Sequence, residues 1–432
     1  MKIITKIFLL SILMLNQIYA QKDVKEMNID GVKVIFKQAE NDVVAFRMFI
    51  KGGTTNLTKE NAGIENFALN VATTGGTENY PKEEYNRILE KLGSSISANC
   101  ANDFSVISIR SIKDNFNKTY ELFQDVILNP AFDSSEVELT REQLISSIKT
   151  EDTNPDALIR KEMILWFYQD HPYSNRWIGN LDNVNKFTRD ELVNYYKNLI
   201  VKSRLLFVIV GKLDIKDVEN KISNLLSKIP AGSYQEAELP VPARAKTGGY
   251  HIVEKPIPTN YIMGQYLLPR MNEKDYYAAL LGHSILRDRV FEEVRTKRNL
   301  SYAPTAAVVT EKTSTGFIYV STTDPDSAIK VMLAELDRLK KEPIPGKELN
   351  NHKMRFITMD FMRQETNAMQ AGALAAAELY TGDWKNAQKL VDYINEVTSA
   401  QIQEMANKYI KNLSFVYVGK KKKVTEELFN YK

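Results

Sequence analysis

The feature that most constrains the fold is an order of predicted strands and helices that occurs twice, on either side of one breaker-rich segment. Residues 230–249 hold three prolines and three glycines, which is typical of a connection between domains. On each side, two strands come first, helices and a further strand follow, and a buried strand ends the unit. The predicted strands are 32–36, 43–50, 104–110, 204–210, 251–254, 260–268, 317–321 and 413–418. Strands and helices mixed in this order predict an α+β fold.

The repeated order predicts a diverged duplication, with two similar domains in one chain. We expect residues 21–229 to form the N-terminal domain, 230–249 the linker and 250–432 the C-terminal domain. Each domain is expected to hold a mostly antiparallel sheet that helices cover on one face. A chain of 432 residues is long enough for two such cores, since a domain typically takes about 100 to 200 residues.

The first 20 residues have the layout of a secretory signal peptide. Met1 to Lys6 is basic, residues 7–15 are apolar apart from Ser11, and Ala20 ends the segment on a small residue. The apolar run is shorter than the roughly 20 residues that a membrane span needs. We therefore expect cleavage after Ala20, export to the periplasm or cell envelope, and no membrane span afterwards. An uncleaved anchor is the alternative.

Composition excludes several classes of function. The 57 Lys and Arg residues nearly balance the 54 Asp and Glu residues, so no strong field is available to recruit nucleic acid. Cys100 is the only cysteine, so no disulfide can form within the chain, and a buried structural thiol is expected. The four histidines, His171, His251, His283 and His352, are too far apart in sequence to form a His-Glu-x-x-His motif.

Residues 63–70, Gly-Ile-Glu-Asn-Phe-Ala-Leu-Asn, resemble the zinc helix of the pitrilysin or insulinase type of metallopeptidase, Gly-Leu-Ala-His-Phe-Leu-Glu-His. Asn66 and Asn70 stand at the two histidine positions, four apart on one helix face. Leu69 stands where the family has the glutamate that takes a proton from the zinc-bound water, which an alkyl group cannot do. Zinc prefers imidazole or thiolate to a neutral amide. This segment is therefore predicted to be a degenerate zinc site, although an ordinary amphipathic helix is the alternative.

The resemblance also implies a third zinc ligand, a glutamate on a later helix. Aligning that helix on Arg141 and on Asn154-Pro155 places Ser147 at the ligand position, so this ligand is predicted to be lost as well. A shifted register would offer Glu142 or Glu138 instead.

A second segment, residues 291–302, resembles the substrate-binding Arg/Tyr segment of the same family and retains both functional side chains, Arg295 and Tyr302. Arg295 is expected to end a helix and Tyr302 to begin the next strand. The resemblance implies that both donate hydrogen bonds to the substrate backbone near the scissile carbonyl, where negative charge develops. Asn299 replaces a common glycine but tolerates a left-handed turn. The alternative is a surface cation followed by an ordinary strand residue.

The resemblance implies a clam-shell of two domains that pairs with a second chain of the family around a chamber. The leading hypothesis is a peptide-binding, zinc-free subunit of an exported peptidase. A homologous partner would carry the zinc, Arg295 and Tyr302 would act in trans, and unfolded peptides would add as a strand to a sheet edge. One alternative is a periplasmic peptide-binding or scaffold protein without catalysis. The other is a self-sufficient metallopeptidase that uses Glu138 or Glu142.

Overall fold

The computed structural model describes residues 24–431, so the predicted signal peptide, residues 1–20, lies outside the described residues. Two mixed sheets, each covered by helices, form two successive domains, which confirms the predicted α+β class with two similar domains. Within the described range, no helix combines the length and hydropathy that a membrane crossing requires. The predicted domain boundaries stay predictions.

Within residues 24–431, the N-terminal sheet has six strands in the order β1-β2-β6-β3-β5-β4, and every neighbouring pair except β2 and β6 is antiparallel. The strands are β1 Val24–Ile29, β2 Val32–Gln38, β3 Val43–Lys51, β4 Ser95–Cys100, β5 Phe104–Ile112 and β6 Leu205–Gly211. All seven residues of β6 are buried, because this apolar strand lies between two neighbours with both faces covered.

Nine helices accompany the first sheet and the linker. They are α1 Ile64–Thr74, α2 Lys82–Leu92, α3 Phe116–Leu128, α4 Ser134–Thr153, α5 Pro155–Phe167, α6 Leu181–Lys186, α7 Arg189–Leu199, α8 Ile215–Leu226 and α9 Ala243–Thr247. The last of these lies inside the segment that the sequence predicts to be the linker.

The C-terminal domain repeats the plan of the first. Its five strands have the order β7-β11-β8-β10-β9, with one parallel pair, β7 and β11. They are β7 Gly249–Glu254, β8 Asn260–Leu267, β9 Thr305–Val309, β10 Thr315–Thr322 and β11 Ser414–Gly419. Its helices are α10 Tyr276–Val290, α11 Pro325–Lys341, α12 Gly346–Arg363, α13 Asn367–Thr381, α14 Leu390–Glu396 and α15 Ser399–Tyr409. By this order, α10 corresponds to α1, α12 to α4 and β9 to the edge strand β4.

The two domains exchange one helix each, and this corrects the expectation that helices cover only one face of each sheet. Helix α5 packs against β8 and β11 of the C-terminal sheet, where Ile159 and Phe167 are fully buried. Helix α13 packs against β3 and β6 of the N-terminal sheet, with Ala371 and Leu374 in the contact. Burial of these apolar side chains holds the two domains together.

Candidate functional site

Helix α1 begins where the chain makes a close backbone approach that only glycine permits. Gly63 has φ +95°, and a Cβ at this position would lie 2.7 Å from the Cα of Gly179. Gly179 is also left-handed, with φ +79°, and a Cβ there would lie 3.0 Å from the Cα of Gly63. Both positions therefore require glycine if α1 is to keep its place beside the chain at residue 179.

The three side chains at the family's zinc-helix positions are engaged in other contacts. The Asn70 amide Nδ2 donates to the backbone carbonyl of Asn66 at 2.7 Å and to its side-chain Oδ1 at 2.9 Å. Leu69 is fully buried in the core of the N-terminal domain. The two amides therefore pair with each other, and the position of the family's general base contributes an apolar contact.

Residues next to these positions pack α1 against its neighbouring helices. Phe67 is fully buried, and the Arg141 guanidinium lies over its ring, 5.2 Å from the centroid. Arg141 also donates to the backbone carbonyl of Phe187 at 2.7 Å and to that of Val184. Arg141 thus connects α4 to α1 and to the end of α6.

Glu65 is the one carboxylate within the zinc-helix segment, at a position for which the family segment predicts no role. Its side chain is directed at the sheet, where Ser105 donates to Oε1 and the Tyr195 hydroxyl donates to Oε2 at 2.6 Å. Burial raises the pKa of this carboxyl. Burial also raises the pKa of the neighbouring Cys100 thiol, as expected for a structural cysteine. With both oxygens bonded in the interior, Glu65 cannot replace the missing general base.

The predicted third-ligand position is also unsuited to zinc. Ser147 lies exposed on α4, and its hydroxyl donates to the backbone carbonyl of Gln143 at 2.9 Å. Glu142 is exposed, and Glu138 is exposed and ion-paired with Arg141 at 3.1 Å. Neither glutamate has the buried, polar surroundings that orient a metal ligand.

The donor set present does not fit the zinc ion that the family resemblance implies. Two mutually bonded amides, a core leucine and an exposed serine offer no imidazole, thiolate or carboxylate. Across residues 24–431, no group of three or more His, Cys, Asp or Glu side chains is arranged to hold a metal ion.

The Arg/Tyr segment has a fixed backbone. After Val290, α10 continues as a π-helical turn, Phe291–Thr296. Val294 is fully buried, and the backbone N–H of Leu300 donates to its carbonyl at 2.9 Å. Asn299 has φ +51°, so it takes the left-handed conformation that the sequence predicts. These contacts direct Val294 into the core.

Arg295 and Tyr302 lie next to each other on the surface of this segment. The Arg295 Nη1 donates to the backbone carbonyl of Tyr302 at 2.8 Å, and its guanidinium lies 4.1 Å from the centroid of the Tyr302 ring. Tyr302 is 78% exposed. It precedes β9 by three residues and does not begin the strand as expected, because Pro304 and its neighbours separate the two. No ion pair to Arg295 occurs within residues 24–431, so its remaining donors are available to a ligand.

The two side chains line a cleft of about 730 Å³ that both domains form. Asp156 and Arg160 come from α5 of the N-terminal domain, while Arg287 and Asp288 come from α10. Asp156 accepts a hydrogen bond from the Tyr319 hydroxyl. A peptide in the cleft would therefore meet hydrogen-bond donors of the C-terminal domain on one side and a wall formed by α5 of the N-terminal domain on the other.

The electrostatics of the cleft favour anionic or carbonyl groups. Arg287 and the α12 residue Arg355 share a single carboxylate, that of Asp288, at 3.2 Å and 2.8 Å. Arg295 and Arg160 line the cleft without an ion pair in the part of the chain that the structure describes. Asp156 and Glu292 also line the cleft, so its four arginines exceed its three acidic residues by one. Guanidinium groups are suited to carboxylates and backbone carbonyls, to which they donate several hydrogen bonds.

A second group of polar residues, not found from the sequence, joins the two domains. The Tyr173 hydroxyl donates to Asp103 at 2.5 Å, and the backbone N–H of Lys312 donates to the same carboxylate at 3.0 Å. Asn102 donates to Glu311 at 2.8 Å. Burial and the Asp103 carboxylate raise the pKa of Glu311 to about 8. Members of this group are up to 210 positions apart, so sequence spacing gives no signal for it.

Comparison with known proteins assigns a family to this architecture. The family profile described as Insulinase (Peptidase family M16) matches residues 33–180, and the profile described as Peptidase M16 inactive domain matches residues 186–356. An uncharacterized zinc protease of Rickettsia felis is 22% identical over 381 residues, covering 86% of this chain and 91% of the relative. The beta subunit of the mitochondrial-processing peptidase of Saccharomyces cerevisiae is 20% identical over 404 residues, covering 86% of this chain and 85% of that protein.

Two solved structures share the fold. A peptidase M16 inactive domain from Pseudomonas fluorescens has a TM-score of 0.83 and 21% identity, covering 92% of this chain and 98% of that one. The periplasmic protease PqqL from Escherichia coli has a TM-score of 0.76 and 14% identity, covering 92% of this chain and 46% of that one. Together with the two matched profiles, these likenesses show that the chain belongs to the insulinase family of peptidases, M16, as an M16 domain followed by an M16 inactive domain.

Proposed function

We propose that this chain is the peptide-holding, zinc-free subunit of an exported M16 peptidase, acting together with a homologous subunit that carries the zinc. The observation that carries the proposal is a difference between the two segments that match the family. The zinc-helix positions hold Asn66, Leu69 and Asn70 in mutual or core contacts, while Arg295 and Tyr302 stand together in an open cleft.

The proposed chemistry of this chain is limited to binding and polarisation of the substrate. Arg295 and Tyr302 would donate hydrogen bonds to the carbonyl oxygen under attack, where charge develops as the peptide bond is cleaved. The zinc, its bound water and the general base would belong to the partner. Since the cleft and the exposed edge strand β9 adjoin at Thr305, an unfolded peptide could add to this edge while its backbone reaches Arg295.

Helix α12 offers a surface on which such a partner could assemble. Met354, Phe361 and Met362 are 62%, 63% and 56% exposed, and Leu349 is the one buried residue of the helix. Met354 and Phe361 are seven positions apart and so share a helix face. Exposed apolar groups of this size mark interaction sites. Arg355, next to Met354, lines the cleft, so a subunit bound to α12 would also border the cleft.

The relatives support a two-subunit arrangement. One relative is named as the beta subunit of a processing peptidase, and PqqL is a protease of which this chain spans 46%. A second unit of similar size would complete such a molecule. Export to the periplasm is part of the proposal and depends on the signal-like residues 1–20.

The test is affinity purification of the tagged chain from its native host, followed by identification and quantification of the bound chains. The proposal predicts a stoichiometric M16 homologue that carries His-x-x-Glu-His, together with zinc at one ion per pair. If no such homologue is bound, the alternative of a periplasmic peptide-binding or scaffold protein replaces this proposal.

A further inference from the structure

A cavity of about 510 Å³ lies beside the Arg295 cleft, between α10, β9, α12 and α13. Its volume falls within the roughly 300 to 1,000 Å³ of small-ligand and side-chain pockets in proteins. By the repeated order of the two domains, it lies where the zinc helix, α4 and β4 meet in the N-terminal domain. The proposed function assigns no role to this cavity.

The walls of the cavity are largely apolar. Its lining includes Tyr277, Leu280, Phe356, Met359, Ala376 and Leu390. The space exists because α13 presents alanines, Ala373 and Ala376, on the side facing the cavity. The same helix packs Ala371 and Ala375 against the N-terminal sheet. Alanines therefore lie on both the sheet-facing side and the cavity-facing side of α13. An aromatic or large aliphatic side chain would be withdrawn from water here.

The mouth of the cavity is positively charged. Arg287, Arg355 and Arg363 line it, against the carboxylates of Asp360 and of Asp288, which Arg287 and Arg355 share. Arg363 is exposed and makes no ion-pair contact within 4 Å in residues 24–431, although its charge acts on the Asp360 carboxyl and opposes the effect of burial on its pKa. Asp360 accepts a hydrogen bond from Gln364, and burial raises the pKa of its carboxyl. One guanidinium is therefore left to bind a carboxylate beside the apolar space.

The cavity is continuous with the site of the proposed function. Arg287, Thr305 and Arg355 line both the cavity and the cleft that contains Arg295. Four consecutive residues of the edge strand, 305–308, also line the cavity. At about 3.3 Å per residue, an extended peptide bound at Tyr302 would reach the cavity within a few residues.

We propose that this cavity is a specificity pocket that takes one bulky apolar side chain of a bound peptide, with Arg363 and its neighbours binding a carboxylate next to that side chain. The proposal rests on the proposed peptide-holding role and narrows the substrate class. Favoured peptides carry an aromatic or large aliphatic residue beside an acidic one.

The test uses the mature full chain and fluorescein-labelled, ten-residue peptides of Gly and Ser that contain a single Phe-Glu pair, measured by fluorescence anisotropy. Replacing Phe with Ala in the peptide is expected to weaken binding about 10-fold, as the loss of a buried aromatic side chain implies. Replacing Glu with Gln is expected to weaken it about 3-fold or more, and the difference should shrink as salt is added.

Matching protein variants locate the effect. Ala376→Trp fills the cavity and should weaken binding of the Phe peptide about 10-fold while leaving the Ala peptide unchanged. Ala400→Trp, at an exposed alanine of α15, is the matched control and should bind as the unaltered chain does. Arg363→Gln should remove the preference for Glu over Gln, whereas Arg87→Gln, which lies exposed in the other domain, should retain it.

The outcomes separate this proposal from the one on which it rests. Equal binding of the Phe and Ala peptides, together with a loss on Arg295→Ala, overturns the pocket and retains the peptide-holding role. Binding of no peptide at millimolar concentration overturns both. If Ala376→Trp fails to fold, the peptide pair on the unaltered chain and Arg363→Gln decide the question, and unchanged Phe and Glu preferences across them contradict the pocket.

Discussion

The zinc-helix region and the Arg/Tyr segment lie in the two copies of one fold and differ in which residues match the family: the first is helix α1, and the second directly follows α10, the counterpart of α1. In the N-terminal domain the scaffold persists, since Phe67 still packs under Arg141, but Leu69 belongs to the core. In the C-terminal domain Arg295 and Tyr302, the side chains that match the family segment, line an open cleft. The difference shows that a fold can be maintained by its packing residues after the reacting groups have changed.

A second comparison, between the corresponding helices α4 and α12, leads to the same conclusion. Helix α4 buries Val137, Thr140, Leu144 and Ile148 within its own domain. Helix α12 buries only Leu349 and leaves large apolar side chains in water. A helix face that is apolar without being covered indicates a partner. The C-terminal domain thus carries both the candidate ligand-binding groups and the candidate assembly surface.

The largest expected effect comes from restoring glutamate at the family's general-base position. Leu69→Glu places a carboxylate in a fully buried apolar site, where an unpaired charge costs more than about 4 kcal/mol of unfolding free energy. Urea denaturation should show this loss, whereas Leu69→Met should cost less than about 1.5 kcal/mol. A Leu69→Glu variant as stable as the unaltered chain would contradict the placement of residue 69 in the packed core of the N-terminal domain.

The next effect concerns the retained side chains. Arg295→Ala, in the purified pair, should lower kcat/KM by about 100-fold, which is the typical cost of one donor at a developing oxyanion. Arg298→Ala is the matched control, because Arg298 pairs with Glu293 on the same segment and does not line the cleft. Assembly, measured by size-exclusion chromatography, should be unchanged in both. If the Arg295→Ala variant turned over substrate as fast as the unaltered pair, Arg295 would be a surface cation with no role in substrate binding.

A smaller effect is expected at the proposed assembly surface. Phe361→Ser should weaken association with the partner about 10-fold or more, as expected for the loss of a large apolar contact at an interface centre. The thermal unfolding midpoint of the isolated chain should stay within about 2 °C, since Phe361 is 63% exposed. The control is Asn351→Ser, at an exposed position of α12. Ser399→Ala is unsuitable, because Ser399 lies outside α12 and its hydroxyl accepts a hydrogen bond from the backbone N–H of Ile344. Association that Phe361→Ser leaves intact would place the interface elsewhere.

The smallest effect is a pH dependence at the junction of the domains. The folded-state pKa of Glu311, about 8, lies above the roughly 4.3 of an unfolded glutamate. The stability that this group contributes is therefore fully present below about pH 4 and is lost as pH rises through 8. Glu311→Gln should raise the unfolding midpoint at pH 9 by roughly 3 °C, with a gap that closes toward pH 5. A gap independent of pH, or the same shift in the exposed Glu90→Gln control, would contradict this assignment.

The sequence predicts the fold well where side-chain patterns are local. The apolar runs of β3, β6, β8 and β11 lie close to their predicted positions. The edge strands β4 and β9 are not among the predicted strands. In β4 the residues Ser, Asn and Ala give little strand pattern, and β9 is only five residues long, with two alanines among them. Helix α13 was also missed, since it buries alanines on two faces and so lacks a single apolar stripe.

The candidate site likewise has a part that the sequence predicts and a part that it does not. Arg295, Asn299 and Tyr302 could be placed close together because they lie within eight consecutive residues, and the role of Arg295 and Tyr302 in substrate binding stays a prediction. The cleft wall that Asp156 and Arg160 form could not be predicted from the sequence. These residues lie about 140 positions before Arg295, and they reach the cleft because α5 packs against the C-terminal sheet. Contacts that depend on such an exchange leave no periodicity in the sequence.

The most direct test of the central claim is a peptidase assay, with zinc analysis, on this chain alone, on the zinc-bearing partner alone and on the mixture of the two. The account predicts no zinc and no turnover for this chain, with activity in the mixture that Arg295→Ala lowers about 100-fold. Stoichiometric zinc and peptide hydrolysis by the isolated chain, both lost on Glu138→Ala or Glu142→Ala, would contradict it.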